Sequence, residues 1–295
     1  MSFSCVSCTR RNNSRESGKG ANNAQQTRRK SKLESLSTFE IPEPKSQHGL
    51  ISLSKNGLKS KSWGQKYWMF YFSLAYILQY LNNKSQRTKT GLNLLLFFFQ
   101  MAPGLCLPCI HCRNSHIMFV NRPVNSILSY VQANQLPLFL YVLKNNVNHK
   151  LQKGFVPYEA VKRFYHENHN LWQQLFWYWL YCQVVNYPVD VSWNALCGTK
   201  ELKERCIGYV NLIEQIKNIL PKNSRLCRSW TFHYFQNPPT VYTFQSREDL
   251  FVWTYNQQVA CNNDNHHTTL TLEQTGKLFE YERASNCAET GKTCK

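Results

Sequence analysis

Residues 67–81, YWMFYFSLAYILQYL, form the stretch that decides the fold, because their apolar and aromatic side chains recur at helical spacing. Trp68, Phe72, Ala75, Tyr76 and Gln79 follow this spacing, and the pattern returns at Leu140, Leu143, Val147 and Leu151. Turn residues interrupt it at Asn82-Asn83, Pro103-Gly104, Pro123, Pro137 and Gly154–Pro157. The segment from Trp63 to His166 is therefore predicted to be a compact bundle of short helices.

The composition changes sharply on the N-terminal side of Trp63. Residues 1–62 hold 15 apolar residues and carry 12 Lys and Arg against 4 Glu. Chains of this composition cannot bury enough apolar surface to fold alone. We interpret residues 1–62 as a flexible basic arm with a C-x-x-C pair, Cys5 and Cys8, near its free end.

The segment 169–295 is predicted to be an additional C-terminal region of α+β type. An aromatic-rich helix and an amphipathic helix are expected at Leu171–Val184 and Thr199–Leu220. Alternating apolar residues around Asn237-Pro238-Pro239 predict a hairpin and a further strand, at Ser229–Phe235, Val241–Gln245 and 251–255. The sequence assigns no role to this region.

The composition of the whole chain indicates whether it is a soluble, a secreted or a membrane protein. The 295 residues are 42% apolar, and no run reaches the ~18–20 uninterrupted apolar residues of a membrane span. No secretory signal pattern opens the chain, so we expect a soluble protein without a transmembrane segment. The net charge of +18 would attract nucleic acid, anionic membranes or acidic proteins without choosing among them.

The 12 cysteines indicate metal or redox chemistry, because structural disulfides are rare in chains that are not secreted. The densest cluster is Leu107-Pro108-Cys109-Ile110-His111-Cys112-Arg113, where two thiols three residues apart open a predicted helix. A helix N-terminus and nearby cations stabilise thiolates, which favours a reactive pair. A zinc site is the alternative, since Cys106, Cys109, Cys112 and His116 could supply four ligands.

A second candidate segment begins about thirty residues further along the chain, at Lys144. On a helix, Asn145 and Asn148 share one face, and Lys150 and Lys153 lie at its end. Amides flanked by lysines suit the ribose and phosphates of a nucleotide, although a plain amphipathic helix has the same pattern.

Together these segments resemble the Erv/ALR family of FAD-linked sulfhydryl oxidases, particularly its viral members. The resemblance covers about a third of the chain and is carried by Gly64-x-x-x-Trp68, Pro108-Cys109-x-x-Cys112-Arg113, Asn145-x-Val147-Asn148-x-Lys150-Leu151-x-Lys153 and Tyr165. It implies a mainly α fold, with an Erv/ALR-like bundle of four helices plus a short fifth over residues 63–168. Phe72 and Lys144 stand where the family has histidines, and Ser115 or His116 could match a further family position.

The resemblance implies that Cys109 and Cys112 are the catalytic pair of a thiol oxidase. Cys109 would exchange disulfides with substrate and is expected to face outward, whereas Cys112 would lie inward against FAD. Electrons would pass from protein dithiols through this pair and FAD to O2, releasing H2O2. The FAD would be held by Gly64, Trp68, His116, Asn145, Asn148, Lys150, Lys153 and Tyr165.

Family members often carry a second C-x-x-C on a mobile arm, which implies that Cys5 and Cys8 shuttle electrons to the buried pair. Such an arm would reach about 40 Å, and Cys287 with Cys294 is the other shuttle candidate. The expected partners are thiol-containing protein substrates and O2, with a homodimer left open and nucleic acid not expected. The resemblance to viral members implies a location in the host cytoplasm or in the virion.

Two other classes of function stay open from the sequence. One is a zinc-stabilised, basic nucleic-acid-binding module, which the net charge and the Cys/His cluster favour. The other is a scaffold that has kept the bundle and lost flavin, which Phe72 and Lys144 would allow. The visible spectrum and the zinc content of the purified protein distinguish the three.

Overall fold

The computed structural model describes residues 58, 60–81, 89–122, 125–187, 200–238 and 246–280. Their helices are α1 (Ser60–Leu81), α2 (Lys89–Leu96), α3 (Ala102–Cys106), α4 (Ile110–Val120), α5 (Ile127–Gln132), α6 (Leu136–Lys150), α7 (Tyr158–Glu167), α8 (Leu171–Val184), α9 (Lys200–Ile219), α10 (Arg225–Gln236), α11 (Arg247–Asp264) and α12 (Leu272–Glu280). A π-helical segment, Phe97–Met101, joins α2 to α3. The described residues contain no β-strand, which confirms the mainly α class.

The centre of the core is the contact between α1 and α8. The Phe70 ring stacks on Trp179 at 4.5 Å between centroids and 15° between planes, and Phe98 adds a ring 5.5 Å from Trp179. All three side chains are fully or almost fully buried. Aromatic pairs of this kind add about 0.5–1.5 kcal/mol beyond their buried area. The predicted buried helix at Leu171–Val184 is confirmed, and it packs against the bundle.

The predicted hairpin and further strand are wrong wherever the structure describes them. Ser229–Phe235 lies within α10, and residues 251–255 lie within α11. Each helix begins at a serine whose Oγ accepts a backbone N–H 3.1 Å away, Ser224 for α10 and Ser246 for α11. These N-caps favour a helix over the strand suggested by local alternation. Val241–Gln245 lies outside the described residues.

The helix boundaries agree with most of the predicted breaks. α1 ends at Leu81, and α9 covers the predicted amphipathic segment from Lys200 to Ile219. The predicted break at Pro103-Gly104 is wrong, because α3 runs through both residues. The preceding turn is widened, with the Ala102 N–H donating to the Phe97 carbonyl five residues back, and Pro103 follows in the first turn of α3.

The helices on both sides of residue 168 share one hydrophobic core. The boundary between an oxidase domain at 63–168 and a C-terminal region stays a prediction, as does the specific family arrangement of the bundle. None of the helices in the described ranges combines the length and apolarity that a bilayer crossing requires.

α9 packs closely against α3 at a glycine, Gly208. A Cβ atom at Gly208 would lie 2.7 Å from Leu105 Cδ1 and 3.1 Å from Leu105 Cβ. Those separations are shorter than van der Waals contact, so only glycine lets α9 pack this tightly against α3. Gly64 in α1 is different, because a Cβ there would meet nothing within 4 Å.

We therefore expect Gly208→Ala to lower the free energy of unfolding by about 1–2 kcal/mol, because overpacking outweighs the gain in helix propensity. Gly64→Ala is the matched control and should raise that free energy by about 0.5–1 kcal/mol. Urea unfolding followed by circular dichroism measures both. Equal stabilisation by the two substitutions would contradict the tight packing at Gly208.

Candidate functional site

Cys109 and Cys112 lie at the N-terminus of α4, as the sequence predicts. Cys109 is the N-cap residue, with extended backbone angles, and its Sγ accepts the backbone N–H of Cys112 at 3.3 Å. The Cys109 side chain also hydrogen-bonds that of Cys112. A backbone N–H at a helix N-terminus stabilises negative charge on sulfur, so this cap favours a thiolate at Cys109.

The burial of the two cysteine residues is the reverse of the predicted order. Cys109 is buried, with 2% of its surface exposed, whereas Cys112 is half-buried. The turn before Cys109 is covered by Leu58, whose backbone N–H donates to the Pro108 carbonyl at 3.0 Å. Trp63 holds Leu58 in place by donating its Nε1–H to the Leu58 carbonyl at 3.2 Å. Reaching Cys109 from solvent therefore requires this cover to move.

The protonation of the pair is asymmetric. The hydrogen bond with Cys109 and burial raise the pKa of Cys112 well above its ordinary range, while the charges of Arg113 and Lys150 oppose this rise. Because two adjacent sulfurs cannot both be charged at low cost, the reduced pair carries one thiolate. The capping N–H favours Cys109 as the sulfur that carries it.

The second predicted segment contacts the helix of the two cysteines through Lys150. Its Nζ donates to Ser115 Oγ at 2.6 Å, joining the last turn of α6 to α4. Ser115 lies three residues after Cys112, so both side chains occupy the same face of α4. The end of the predicted flavin-binding helix therefore lies against the helix that carries the cysteines.

A half-buried cation, Lys144, lies further back along α6. Lys144 Nζ is 5.3 Å from the centroid of the Trp68 ring, the geometry of a cation–π contact. Burial, with a smaller contribution from the charge of Lys153, lowers the pKa of Lys144 to about 8. Within the described ranges no carboxylate pairs with Lys144. Two lysines thus converge at a place that an anion would stabilise.

Tyr165 packs against α1. Its ring stacks on Phe72 at 5.0 Å and 9°, and Tyr76 lies 6.1 Å away. Phe72 is fully buried and Tyr165 nearly so. Phe72, which stands where the resemblance would place a histidine, is therefore part of a buried aromatic stack.

His116 is buried and hydrogen-bonds the backbone of Gln100. Its Nε2 lies 2.7 Å from the Gln100 carbonyl, so this nitrogen carries the proton and donates it. Burial lowers the pKa of His116, which makes the ring neutral at pH 7. Across the part of the chain that the structure describes, no three His, Cys, Asp or Glu side chains are placed to hold a metal. Cys106, Cys109, Cys112 and His116 accordingly do not assemble as the zinc alternative requires.

The other residues predicted to bind the cofactor lie on α1, on α6 and just after α6. Asn145 and Asn148 are half-buried on α6, and their amides make no hydrogen bond to other described residues. Gly64 lies in α1 with open space beside it, and Lys153 is exposed just after α6. The shuttle candidates Cys5, Cys8, Cys287 and Cys294 lie outside the described residues.

These residues fit FAD in the chemistry of their donors. Lys144 and Lys153 are positively charged and form no ion pair with a carboxylate within the described residues. The side-chain amides of Asn145 and Asn148 can donate hydrogen bonds to a ligand and accept them from it. Their helix ends at Lys150, beside the partly exposed Cys112. The chemistry of these residues would thus allow an anionic nucleotide to bind next to the thiol of Cys112.

Sequence reasoning missed the groups that hold the turn before Cys109, namely Leu58, Asn186 and Arg205. Each is distant from this turn along the chain and belongs to no local motif, so no sequence signal could have identified it.

Comparison of the chain with protein-family models, curated proteins and solved structures found no match.

The partial burial of Lys144 predicts a pH-dependent stability. Its pKa is lower in the folded protein than in the unfolded chain, so stability rises with pH between about 8 and 10.5. Below pH 8 both states are charged and the full cost of burial is present. We expect Lys144→Met to raise the free energy of unfolding by about 1–3 kcal/mol at pH 7, after subtracting the lost cation–π contact.

The gain from Lys144→Met should shrink as the pH rises from 8 to 10.5, because the native lysine then loses its charge. Urea unfolding at several pH values measures this gain. Lys222→Met, at an exposed lysine, is the control and should show a small difference at every pH. A gain from Lys144→Met that does not change with pH would contradict the buried ammonium.

Proposed function

We propose that this protein is an FAD-dependent thiol oxidase that forms disulfides in protein substrates. The observation that carries the proposal is the Lys150–Ser115 hydrogen bond, which joins the flavin-type helix to the helix of the C-x-x-C pair. Each segment alone resembles its family motif only by sequence. Their contact in space is what a transfer of electrons from cysteines to a nucleotide cofactor requires.

The thiol chemistry belongs to Cys109 and Cys112. A substrate thiolate attacks the Cys109 sulfur of the Cys109–Cys112 disulfide, forming a mixed disulfide and releasing Cys112 as a thiolate. A second substrate thiolate then attacks the substrate sulfur of the mixed disulfide. The substrate becomes a disulfide and Cys109 leaves as a thiolate, so two electrons have moved to the pair. Uptake of one proton from solvent then leaves the reduced pair with a single thiolate.

Two cations assist the departure of Cys112. The charges of Arg113 and Lys150 both lower the pKa of this thiol, against the effect of burial. A better-stabilised thiolate is a better leaving group in disulfide exchange. Lys150 therefore has two roles in the proposal, because it also lies at the end of the helix that would hold the cofactor.

FAD, when bound, would accept the electron pair from the reduced cysteines and pass it to O2, yielding H2O2. Lys144 and Lys153 would hold its phosphates, and the amides of Asn145 and Asn148 would donate to it. Trp68 and Tyr165 would line the aromatic side of the site. The partly exposed Cys112 is the sulfur on the cofactor side.

Substrates must displace the cover over Cys109. Leu58 contacts the redox turn through its backbone, and Trp63 anchors it from α1. We include in the proposal that Cys5 and Cys8, which precede Leu58 in the chain, carry electrons from bulky substrates to Cys109.

A scaffold that has lost flavin is the second candidate, and the stack of Phe72 on Tyr165 favours it. This stack fills the place of a family histidine with buried carbon. A scaffold of this kind would be colourless and would not consume O2 with a dithiol. Flavin absorbance of the purified protein separates the two candidates.

The first test removes the polar ligands of the cofactor. Asn148→Ala combined with Lys150→Ala should give a folded protein with at least a tenfold lower flavin content, because charged and amide hydrogen bonds each contribute about 1–3 kcal/mol. Flavin is measured by absorbance after gel filtration. Asn146→Ala combined with Lys222→Ala, at exposed positions, is the matched control and should keep its flavin. Full occupancy in the first variant would refute the binding assignment.

The second test removes the sulfurs singly. Cys109→Ser and Cys112→Ser should each lose more than about 99% of dithiol-dependent O2 consumption, because exchange needs both sulfurs. Cys227→Ser, at a buried thiol on α10, is the control and should remain active. Near-normal turnover in either of the first two variants would exclude this pair as the redox centre.

A further inference from the structure

The turn before Cys109 is held by hydrogen bonds to four consecutive carbonyl groups, those of Leu105, Cys106, Leu107 and Pro108. The donors and distances are Arg205 Nε to Leu105 at 3.4 Å, Tyr209 Oη to Cys106 at 3.3 Å, Arg113 Nη1 and Asn186 Nδ2 to Leu107 at 2.8 and 3.1 Å, and Leu58 N to Pro108 at 3.0 Å. Such a density of donors fixes the path of the backbone.

Three of these donors belong to the C-terminal region, to which the sequence assigns no role. Asn186 follows α8, and Arg205 and Tyr209 lie in α9. They also form a network, because Arg205 Nη2 donates to the Asn186 carbonyl at 3.1 Å. Arg205 thus binds the redox turn directly and also orients the residue that binds it next.

The Leu107 carbonyl transmits this constraint to Cys109. It accepts the backbone N–H of Cys109 at 2.8 Å in addition to the two side-chain donors. The backbone of Cys109 is therefore tied to the atom that Asn186 and Arg113 hold. A movement of Asn186 would change the direction in which the N-cap cysteine presents its sulfur.

The same hydrogen bonds bring two guanidinium groups next to the turn at Leu105–Pro108. Arg113 is buried, with 8% exposure, and Arg205 is half-buried. Within the described ranges neither forms an ion pair with a carboxylate. The charge of Arg113 acts on Cys106, Cys109, Cys112 and Tyr209, and the charge of Arg205 acts on Cys106, Cys206 and Tyr209 and repels that of Arg113. Burial raises the pKa of Cys106 to about 12, and the charges of Arg205 and Arg113 work against this rise.

We propose that Arg205 and Asn186 are positioning residues for the redox pair, which hold the turn at Leu105–Pro108 and make the Cys109–Cys112 disulfide a stronger oxidant. The inference concerns the cysteines of the proposed oxidase site and does not require flavin. It gives the C-terminal region a role in the chemistry of the pair, through backbone geometry and through charge.

The direction of the effect follows from the charge of the reduced pair. The disulfide is neutral, whereas the dithiol form carries a thiolate, so a nearby cation stabilises only the reduced state. Stabilising the reduced state makes the disulfide easier to reduce and therefore more oxidising. Removing the cation should make the disulfide harder to reduce and the thiolate less abundant at neutral pH.

The test measures the equilibrium of the pair with glutathione. In this reaction the Cys109–Cys112 disulfide and two glutathione thiols give the dithiol and glutathione disulfide, with two electrons transferred. Full-length protein is equilibrated in glutathione buffers, free thiols are alkylated, and the peptide holding both cysteines is quantified by mass spectrometry. The pH dependence of the alkylation rate is measured on the reduced protein.

Arg205→Met should shift the equilibrium about five- to tenfold toward the disulfide, and the alkylation profile should move to higher pH. Arg205→Lys keeps the charge and should recover at least part of both shifts. Asn186→Ala keeps both guanidiniums and should change the alkylation rate at saturating pH more than the midpoint. Arg228→Met, at an exposed arginine on α10, removes one charge elsewhere and should behave as wild type.

The inference is overturned if Arg205→Met and Arg228→Met give the same equilibrium constant and alkylation profile. It is also overturned if Arg205→Lys is as impaired as Arg205→Met, since the loss would then be structural only. If Arg205→Met does not fold, as judged by circular dichroism, the inference is tested by Arg205→Lys and Asn186→Ala instead. It is then overturned if both variants have the equilibrium constant and the alkylation profile of the wild type. These readouts need no flavin and no O2, so they stay interpretable even if the protein proves not to be an oxidase.

Discussion

The stack of Phe70 on Trp179 is the contact on which the rest of the structure depends. It fixes α8 against α1, and Asn186 directly follows α8. The residue that reaches the Leu107 carbonyl is therefore placed by an aromatic contact in the core, far along the chain from the redox turn. Packing energy from large rings thereby positions a single hydrogen bond beside Cys109.

Unbalanced positive charge is the common electrostatic feature of the candidate site. Arg113 near the cysteines is buried and Lys144 near Trp68 is half-buried, and neither forms an ion pair with a carboxylate within the described ranges. Burying a cation without a counter-ion costs free energy. In the proposed function, these two cations would stabilise negative charge that develops on sulfur and on a bound phosphate.

Helical periodicity predicted α1, α6, α8 and α9, because each buries an apolar face that is regular in sequence. The same reasoning failed at α10 and α11, where aromatic residues recur at every second position and predict strands. The N-caps Ser224 and Ser246 instead favour helices at these two places. In the site, the motif placed Cys109 and Cys112 at a helix start. It could not give their exposure or the donors Asn186 and Arg205, which depend on contacts distant in sequence.

The bond between Leu58 and Pro108 joins two backbones, so it carries no information about side-chain identity. Any residue except proline can supply the N–H, and the apolar surroundings of position 58 ask only for a side chain that can be buried. Over evolutionary time this position can drift among apolar residues without loss of the cover over Cys109. A proline would remove the N–H donor in a single substitution, and the cover over Cys109 would then be held by side-chain packing alone.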